Sequence, residues 1–270
     1  MRLREPSFFI KLSTHTDVAD DGTILALLDS LEDLAGLRWD TSLDLLERDA
    51  RVRRWAEVAH ELSIEWLGQG TNRRLRRRWN AAESVGGFQE WLEVNAASHP
   101  YSGVFVTQIE LRLARERFAD PAFPSRFVAW ADTWCAKLAP VDAHAHETDD
   151  HAIQNCALPA LLHAGFGVDP ESLGEDRPGR EVSRGEYRYC ATWWSFTGAP
   201  VLERLGHPDL AGLPGEVLRM DHGVRVLLTS DPLTLDESLR SAQRQLADVL
   251  GFTEAARKDR WTLGFWQKKV

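Results

Sequence analysis

Between Phe105 and Leu113 the chain alternates. Phe105, Thr107, Ile109, Leu111 and Leu113 fall on one side, Val106, Gln108, Glu110 and Arg112 on the other. A period of two predicts a strand with one buried face and one polar face, the pattern of a sheet whose far side meets water. Helical repeats surround it. Phe8–Leu12 predicts a first strand, and a polar turn at Asp17, Asp20, Asp21 and Gly22 follows. Ile24, Leu27, Leu28, Leu31 and Leu34 then recur at helical spacing, with Gly36 placed to end the helix. Phe127, Trp130, Trp134 and Leu138 predict another helix, with Ser125 as its N-cap. The expectation is an α+β fold, a mixed or mostly antiparallel sheet with helices packed on it. Strand–helix units recur near residues 8–36, 104–138 and 217–250, the layout of a weak internal duplication. The whole chain, 1–270, reads as a single domain with an irregular acidic insertion at about 139–186.

Other stretches read as helices too. Trp55, Ala59, Leu62 and Trp66 form one stripe of a helix over 43–66, and Phe88, Trp91 and Leu92 suggest a short one. Between them, Arg73, Arg74, Arg76, Arg77 and Arg78 run without an acid. Two readings stand: a phosphate-binding patch, or a solvated helical turn that pairs with acidic surface elsewhere. The run is short and lacks the interleaved aromatics of a nucleic-acid platform.

Composition narrows the function classes. The 270 residues carry 41 acids against 32 lysines and arginines, a net charge of −9. Nucleic acid is therefore an unfavourable partner, since phosphate contacts dominate that affinity, and a basic partner is favoured. Cys135, Cys156 and Cys190 show no CxxC pairing, which speaks against a disulfide framework or a zinc ribbon. The N-terminal MRLREPSFFIKLSTHTD lacks a signal-peptide core, and no apolar run approaches the roughly 18 residues of a membrane span. A cytoplasmic protein is expected. The motifs of nucleophile elbows, phosphate loops, dinucleotide folds and HExxH metalloproteases are all missing.

Residues 139–186 hold ten acids and three arginines, most of the net charge, amid many Gly and Pro. They read as exposed loops around an apolar patch at Cys156–Leu162, and Asp149, Asp150, Glu171, Glu175 and Asp176 stand out as partner-binding candidates. One spelling inside, VDAHAHETDDH, carries chemistry. Its D-x-H-x-H resembles the first metal-binding strand of the amidohydrolases. Residues two apart in a strand point the same way, so His144 and His146, with His151 nearby, could share a divalent cation. Against this reading, the segment follows a helix in mid-chain. The roughly 120 residues after it are also too few for a barrel of about 250. A polar loop with accidental spacing is the plainer reading, and no metal or other cofactor is assigned.

The last third begins with YRYCATWWSFT. Tyr189, Ala191 and Trp193 would share one strand face, with Cys190, Thr192 and Trp194 on the other. One of the two tryptophans could then face outward as an anchor for a partner. A Pro-Gly linker (GLPGEVLRM) follows, then an Asp221-His222-Gly223 turn into VRVLLTS. Thr234 and Glu237 match a capping box, and Leu235, Leu239, Ala242, Leu246 and Val249 line a closing helix that Gly251 ends. Trp261, Phe265 and Trp266 in the tail suit packing back onto the domain.

Over about residues 187–250 this order resembles the end of the immunity protein 52 family of bacterial polymorphic-toxin systems. EWLGQGTNRRLRRRWN and VFVTQIELRL fit the family's earlier layout, and a related type VI secretion immunity family matches nearly as well. The resemblance implies a cytoplasmic, non-catalytic protein that binds and neutralises a cognate toxin. An acidic surface would speed capture of a toxin with a basic surface, and an aromatic anchor would supply affinity. The alternative is a metal-dependent hydrolase built on the DAHAHETDDH segment.

Overall fold

A computed structural model of the chain describes residues 7–18, 21–36, 73–78, 90–98, 105–155, 178–184 and 187–252. The helix expected over 43–66, the patch at Cys156–Leu162 and the aromatic tail lie outside them, as do Glu171, Glu175 and Asp176. The chain divides into two compact units, residues 6–140 and residues 141–270 with 1–5.

In the first unit the strands β1 (Ser7–Thr14), β2 (Arg73–Arg78), β3 (Trp91–Ser98) and β4 (Phe105–Ala114) pair antiparallel in the order β2-β3-β4-β1. The alternation read in β4 holds from Thr107 on: Thr107, Ile109, Leu111 and Leu113 are buried, and Gln108, Glu110 and Arg112 are partly exposed, whereas at the start of the strand Phe105 is partly exposed and Val106 buried. Register sets Ile109 between Leu12 and Val94, and Leu111 between Ile10 and Leu92. Such cross-strand rows are the unit of sheet stability. Two expectations are corrected here. Trp91 and Leu92 open a strand, not a helix, and the arginine run is an edge strand, not a helical turn. Six-residue windows carry weak local preference, and β4 and β3 offer the hydrogen-bonding edges that decide the outcome.

Helix α1 (Asp21–Ala35) ends at Gly36, which takes φ +65°, a left-handed turn that glycine tolerates without strain. Its last carbonyls have no basic residue of their own turn to face. Arg117 Nη1 donates to Ala35 O at 2.7 Å, and Arg126 donates to Leu34 O. Arg117 is itself held by the buried Glu90, with Nη2 donating to Oε2 at 2.6 Å. Helix α2 (Phe123–Leu138) starts ahead of the expected Ser125, on Ala122, which makes no side-chain cap. Pro124 in its first turn removes an N–H that would lack a partner anyway. Phe123, Phe127, Trp130, Trp134 and Leu138 are buried on one face. Ser30 Oγ on α1 accepts from both Trp130 Nε1 and Trp134 Nε1 at 2.9 Å, so one hydroxyl satisfies two indoles.

In the second unit β5 (Asp142–Glu147), β8 (Trp194–Gly198), β9 (Glu216–Met220) and β10 (Gly223–Leu227) form an antiparallel order β5-β8-β10-β9. Strands β6 (Val182–Arg184) and β7 (Tyr187–Tyr189) make a separate hairpin. The Asp221-His222 turn joins β9 to β10 as expected, Met220 facing Gly223. That glycine is required, because a Cβ there would lie 2.4 Å from Thr197 O. Short helices α3 (Thr148–Asn155) and α4 (Ala199–Arg204) follow β5 and β8. Helix α5 (Glu237–Val249) closes the unit, packing Leu239, Leu246 and Ala247 with Val201, Val226 and Leu228. Its cap is Asp236, whose carboxylate accepts from Leu239 N at 3.0 Å. The expected cap Thr234 instead donates to Asp231 Oδ2 at 2.6 Å. Asp236 has Leu239 where a capping box has Glu or Gln, yet it is the residue with the extended backbone of a cap, φ −107° and ψ 179°.

The α+β class holds, with antiparallel sheet and packed helices. Among the described residues both units open with a strand and a helix and close with a helix, but the second inserts α4 between β8 and β9. Their connectivity differs, because the first strand pairs with the last of its unit in one and with β8 in the other. Among the described residues no helix is long and apolar enough to cross a membrane.

Candidate functional site

The polar centre of the second unit grows from β5. Asp-Ala-His-Ala-His-Glu alternates, so Asp142, His144 and His146 share one face and the two alanines the other. The alanines are small for a reason of packing: Ala145 sits opposite Trp194 and Ala143 opposite Phe196. The polar row meets polar partners in the register, Asp142 against Thr197 and His144 against Ser195. All six residues of β5 are buried. This corrects the expectation that the acidic stretch here is exposed loop. It is a strand whose charges point inward, followed directly by a helix.

Glu147 makes that helix possible. Its Oε2 accepts from Asp149 N at 2.7 Å and Asp150 N at 3.1 Å, placing a carboxylate on the N–H groups that a helix start leaves unpaired. Helix α3 then returns two side chains to the cluster. Asp150 Oδ2 lies 3.7 Å from His146 Nδ1, and His151 Nδ1 lies 3.3 Å from His146 Nε2. Asp150 also forms an ion pair with Arg240 of α5, and Arg240 Nη1 donates to Gln243 Oε1 at 2.8 Å. Burial by itself would raise the Asp150 pKa. Hydrogen bonding and charge from His146 and Arg240 outweigh it and hold the carboxyl below its ordinary value.

The opposite wall comes from residues 178–184 and 187–195. Gly179 N donates to Gln154 Oε1 at 3.1 Å, and Glu181 N to Asn155 Oδ1 at 2.8 Å, so the segment is laced to α3. Glu181 Oε2 then lies 3.7 Å from His144 Nε2. Ser195 of β8 accepts from Thr192 N at 3.1 Å and donates to Cys190 O at 3.3 Å, folding the connector back. Cys190 is delivered to the histidines in this way: ligand atoms of His144, His146 and Cys190 all lie within 4.8 Å of one another, and all three side chains are buried. A cavity of about 10 Å³ touches Asp142, His144 and Cys190. That is room for about one water.

The partner-binding candidates fare differently. Asp149 is half-buried, and Asp150 is 1% exposed and committed to Arg240 and His146. The expected strand through residues 189–194 is broken between β7 and β8, so Trp193 and Trp194 do not sit on opposite faces of one strand. Trp193 is 1% exposed, its Nε1 donating to Thr229 O at 2.8 Å, and Trp194 is 0% exposed. Neither indole is offered outward, which corrects the expectation of a surface anchor. Sequence reading paired His144 and His146 but missed Cys190, Glu181 and Arg240. Each lies far along the chain with no motif around it, so no local signal marks them.

No protein-family model matches the chain, and no curated protein matches it. Among solved structures it is similar to the Pseudomonas aeruginosa T6SS protein PA0821, with a TM-score of 0.56 and 15% sequence identity, over 91% of this chain and 76% of that one. At that identity the likeness is one of fold.

Proposed function

We propose that the chain is an immunity-type binding protein that neutralises a cognate bacterial toxin by direct contact and has no catalytic role of its own. The observation that carries the reading is the fold shared with a type VI secretion protein over 91% of the chain. The net charge of −9 supports a toxin with a basic surface, because opposite fields speed encounter. Asp150, Trp193 and Trp194 are buried and make no toxin contact. Asp149, Glu171, Glu175 and Asp176 face the toxin, and the protein works in the cytoplasm.

A hydrolase centred on His144 and His146 is favoured by one observation, the two buried imidazoles beside a cysteine. The space beside them argues against it. Substrate clefts run to about 300 Å³ or more, whereas among the described residues the cavity that touches His144 holds about 10 Å³.

The test is co-expression with the product of a neighbouring toxin gene. Restored growth and co-purification at a fixed stoichiometry are expected, with reversal of Asp149, Glu171, Glu175 and Asp176 to lysine weakening the complex. A toxin that neither binds the chain nor loses potency in its presence would overturn the proposal. Unchanged binding in the reversed variant would remove the surface assignment.

A further inference from the structure

We infer that His144, His146 and Cys190 bind one zinc-class divalent ion, which ties β5 to the connector ahead of β8. The inference is independent of the toxin-binding reading.

Three features converge. The first is the donor set. Two imidazoles and one thiol suit zinc, a borderline-soft ion that takes nitrogen and sulfur ligands at about 2.0–2.3 Å in a tetrahedron. Those bond lengths put ligand atoms about 3.3–3.6 Å apart. The present atoms lie within 4.8 Å of one another, so the widest pair closes by up to about 1.2–1.5 Å, a shift that side-chain rotation can supply.

The second is the surrounding shell. Ligating histidines are held by a carboxylate or carbonyl at the other ring nitrogen. Here a carboxylate stands near one nitrogen of each ring, at ion-pair rather than hydrogen-bond distance: Asp150 Oδ2 is 3.7 Å from His146 Nδ1, and Glu181 Oε2 is 3.7 Å from His144 Nε2. That leaves His146 Nε2 for the ion, and His151 Nδ1, 3.3 Å from it, must give way on binding. Asp150 is in turn fixed by Arg240. The third is space for water beside the donors. A cavity of about 10 Å³ touches His144 and Cys190, with Asp142 but not His146 in its lining, and a single water fits it. A water would complete the tetrahedron with the three protein ligands.

Binding releases the thiol proton of Cys190, and the ring nitrogen that takes the metal must be unprotonated, so proton release accompanies uptake. The ion joins β5 to a distant stretch of chain through bonds that the unfolded chain lacks, so its affinity adds to folding.

The experiment uses the full chain, stripped with chelator and then given one equivalent of zinc. One zinc per chain is expected by elemental analysis after desalting. Cobalt in its place should give the ultraviolet thiolate charge-transfer band and the visible bands of a tetrahedral site. Cys190→Ser should abolish the charge-transfer band. Cys190→Ser and His144→Gln should each lower zinc retention at least about tenfold, and Asp150→Asn about 10- to 100-fold in affinity. His15→Ala, at an exposed position, should retain zinc. Alkylation read by peptide mass gives a result that does not depend on any variant folding. Zinc should slow labelling of Cys190 and leave Cys135 unchanged. Less than about 0.1 zinc per chain in the parent overturns the inference. So does equal retention in Cys190→Ser and His144→Gln, or Cys190 labelling that zinc does not alter.

Discussion

Replacing Arg240 with methionine isolates the charge balance of the polar centre. Asp150 is 1% exposed, and Arg240, 15% exposed at its side chain, supplies its cationic partner. Methionine keeps the apolar stem and removes the charge, so the carboxylate stays buried beside His146 alone. Removing one member of a buried pair costs about 3–5 kcal/mol, because the remaining charge keeps its desolvation penalty. His146 at 3.7 Å offers partial compensation, which places the expected loss near 3 kcal/mol. The assay is peptide-resolved hydrogen exchange on β5, β8 and α5, with chelator present so that no metal contributes. A loss of about 3 kcal/mol lowers protection roughly 150-fold at amides that exchange by full opening. Adding Asp150→Asn to Arg240→Met removes the stranded charge. The double variant should therefore lose at least about 1.5 kcal/mol less than the two single losses combined. A single variant within about 0.5 kcal/mol of the parent, or strictly additive losses, would refute the claim that this pair balances the core.

Ser30→Ala leaves the Trp130 and Trp134 indoles without their shared acceptor. A loss of about 1–3 kcal/mol in urea unfolding is expected, and a neutral result would show that the hydroxyl is dispensable. Asp236→Ala should cost about 1 kcal/mol as a lost helix cap, whereas Thr234→Ala should cost less; the reverse order would restore the capping box suggested by the sequence. Cys135 is buried, and that burial, with the Asp132 carboxylate adding to it, pushes its thiol well above the usual range. Iodoacetamide at neutral pH should leave it unlabelled in native protein and label it after denaturation, and rapid native labelling would contradict the burial.

Which features were legible depended on their range in the chain. The β4 alternation, the buried face of α2, the glycines after α1 and α5 and the Asp221-His222 turn all rest on neighbours within a few residues. All were readable. The short windows were not: Trp91–Leu92 and the arginine run became strands because β4 and β3 presented edges to them. The acidic stretch misled for a related reason. Charge suggests exposure, yet Asp142, Glu147 and Asp150 are buried. Their partners include Arg240 of α5 and the N–H groups of α3, which composition cannot locate.

The sequence alone determined the α+β class and the period-2 strand, because side-chain direction in a regular element follows from backbone geometry; a strand with His144 and His146 on one face was the less favoured of two readings, and the tertiary structure chose it. Only the tertiary structure decided that this face turns inward, that Cys190 joins it and that both central tryptophans are buried. Those outcomes depend on which distant segments supply hydrogen bonds and opposite charge, since a buried polar group persists only where such partners reach it.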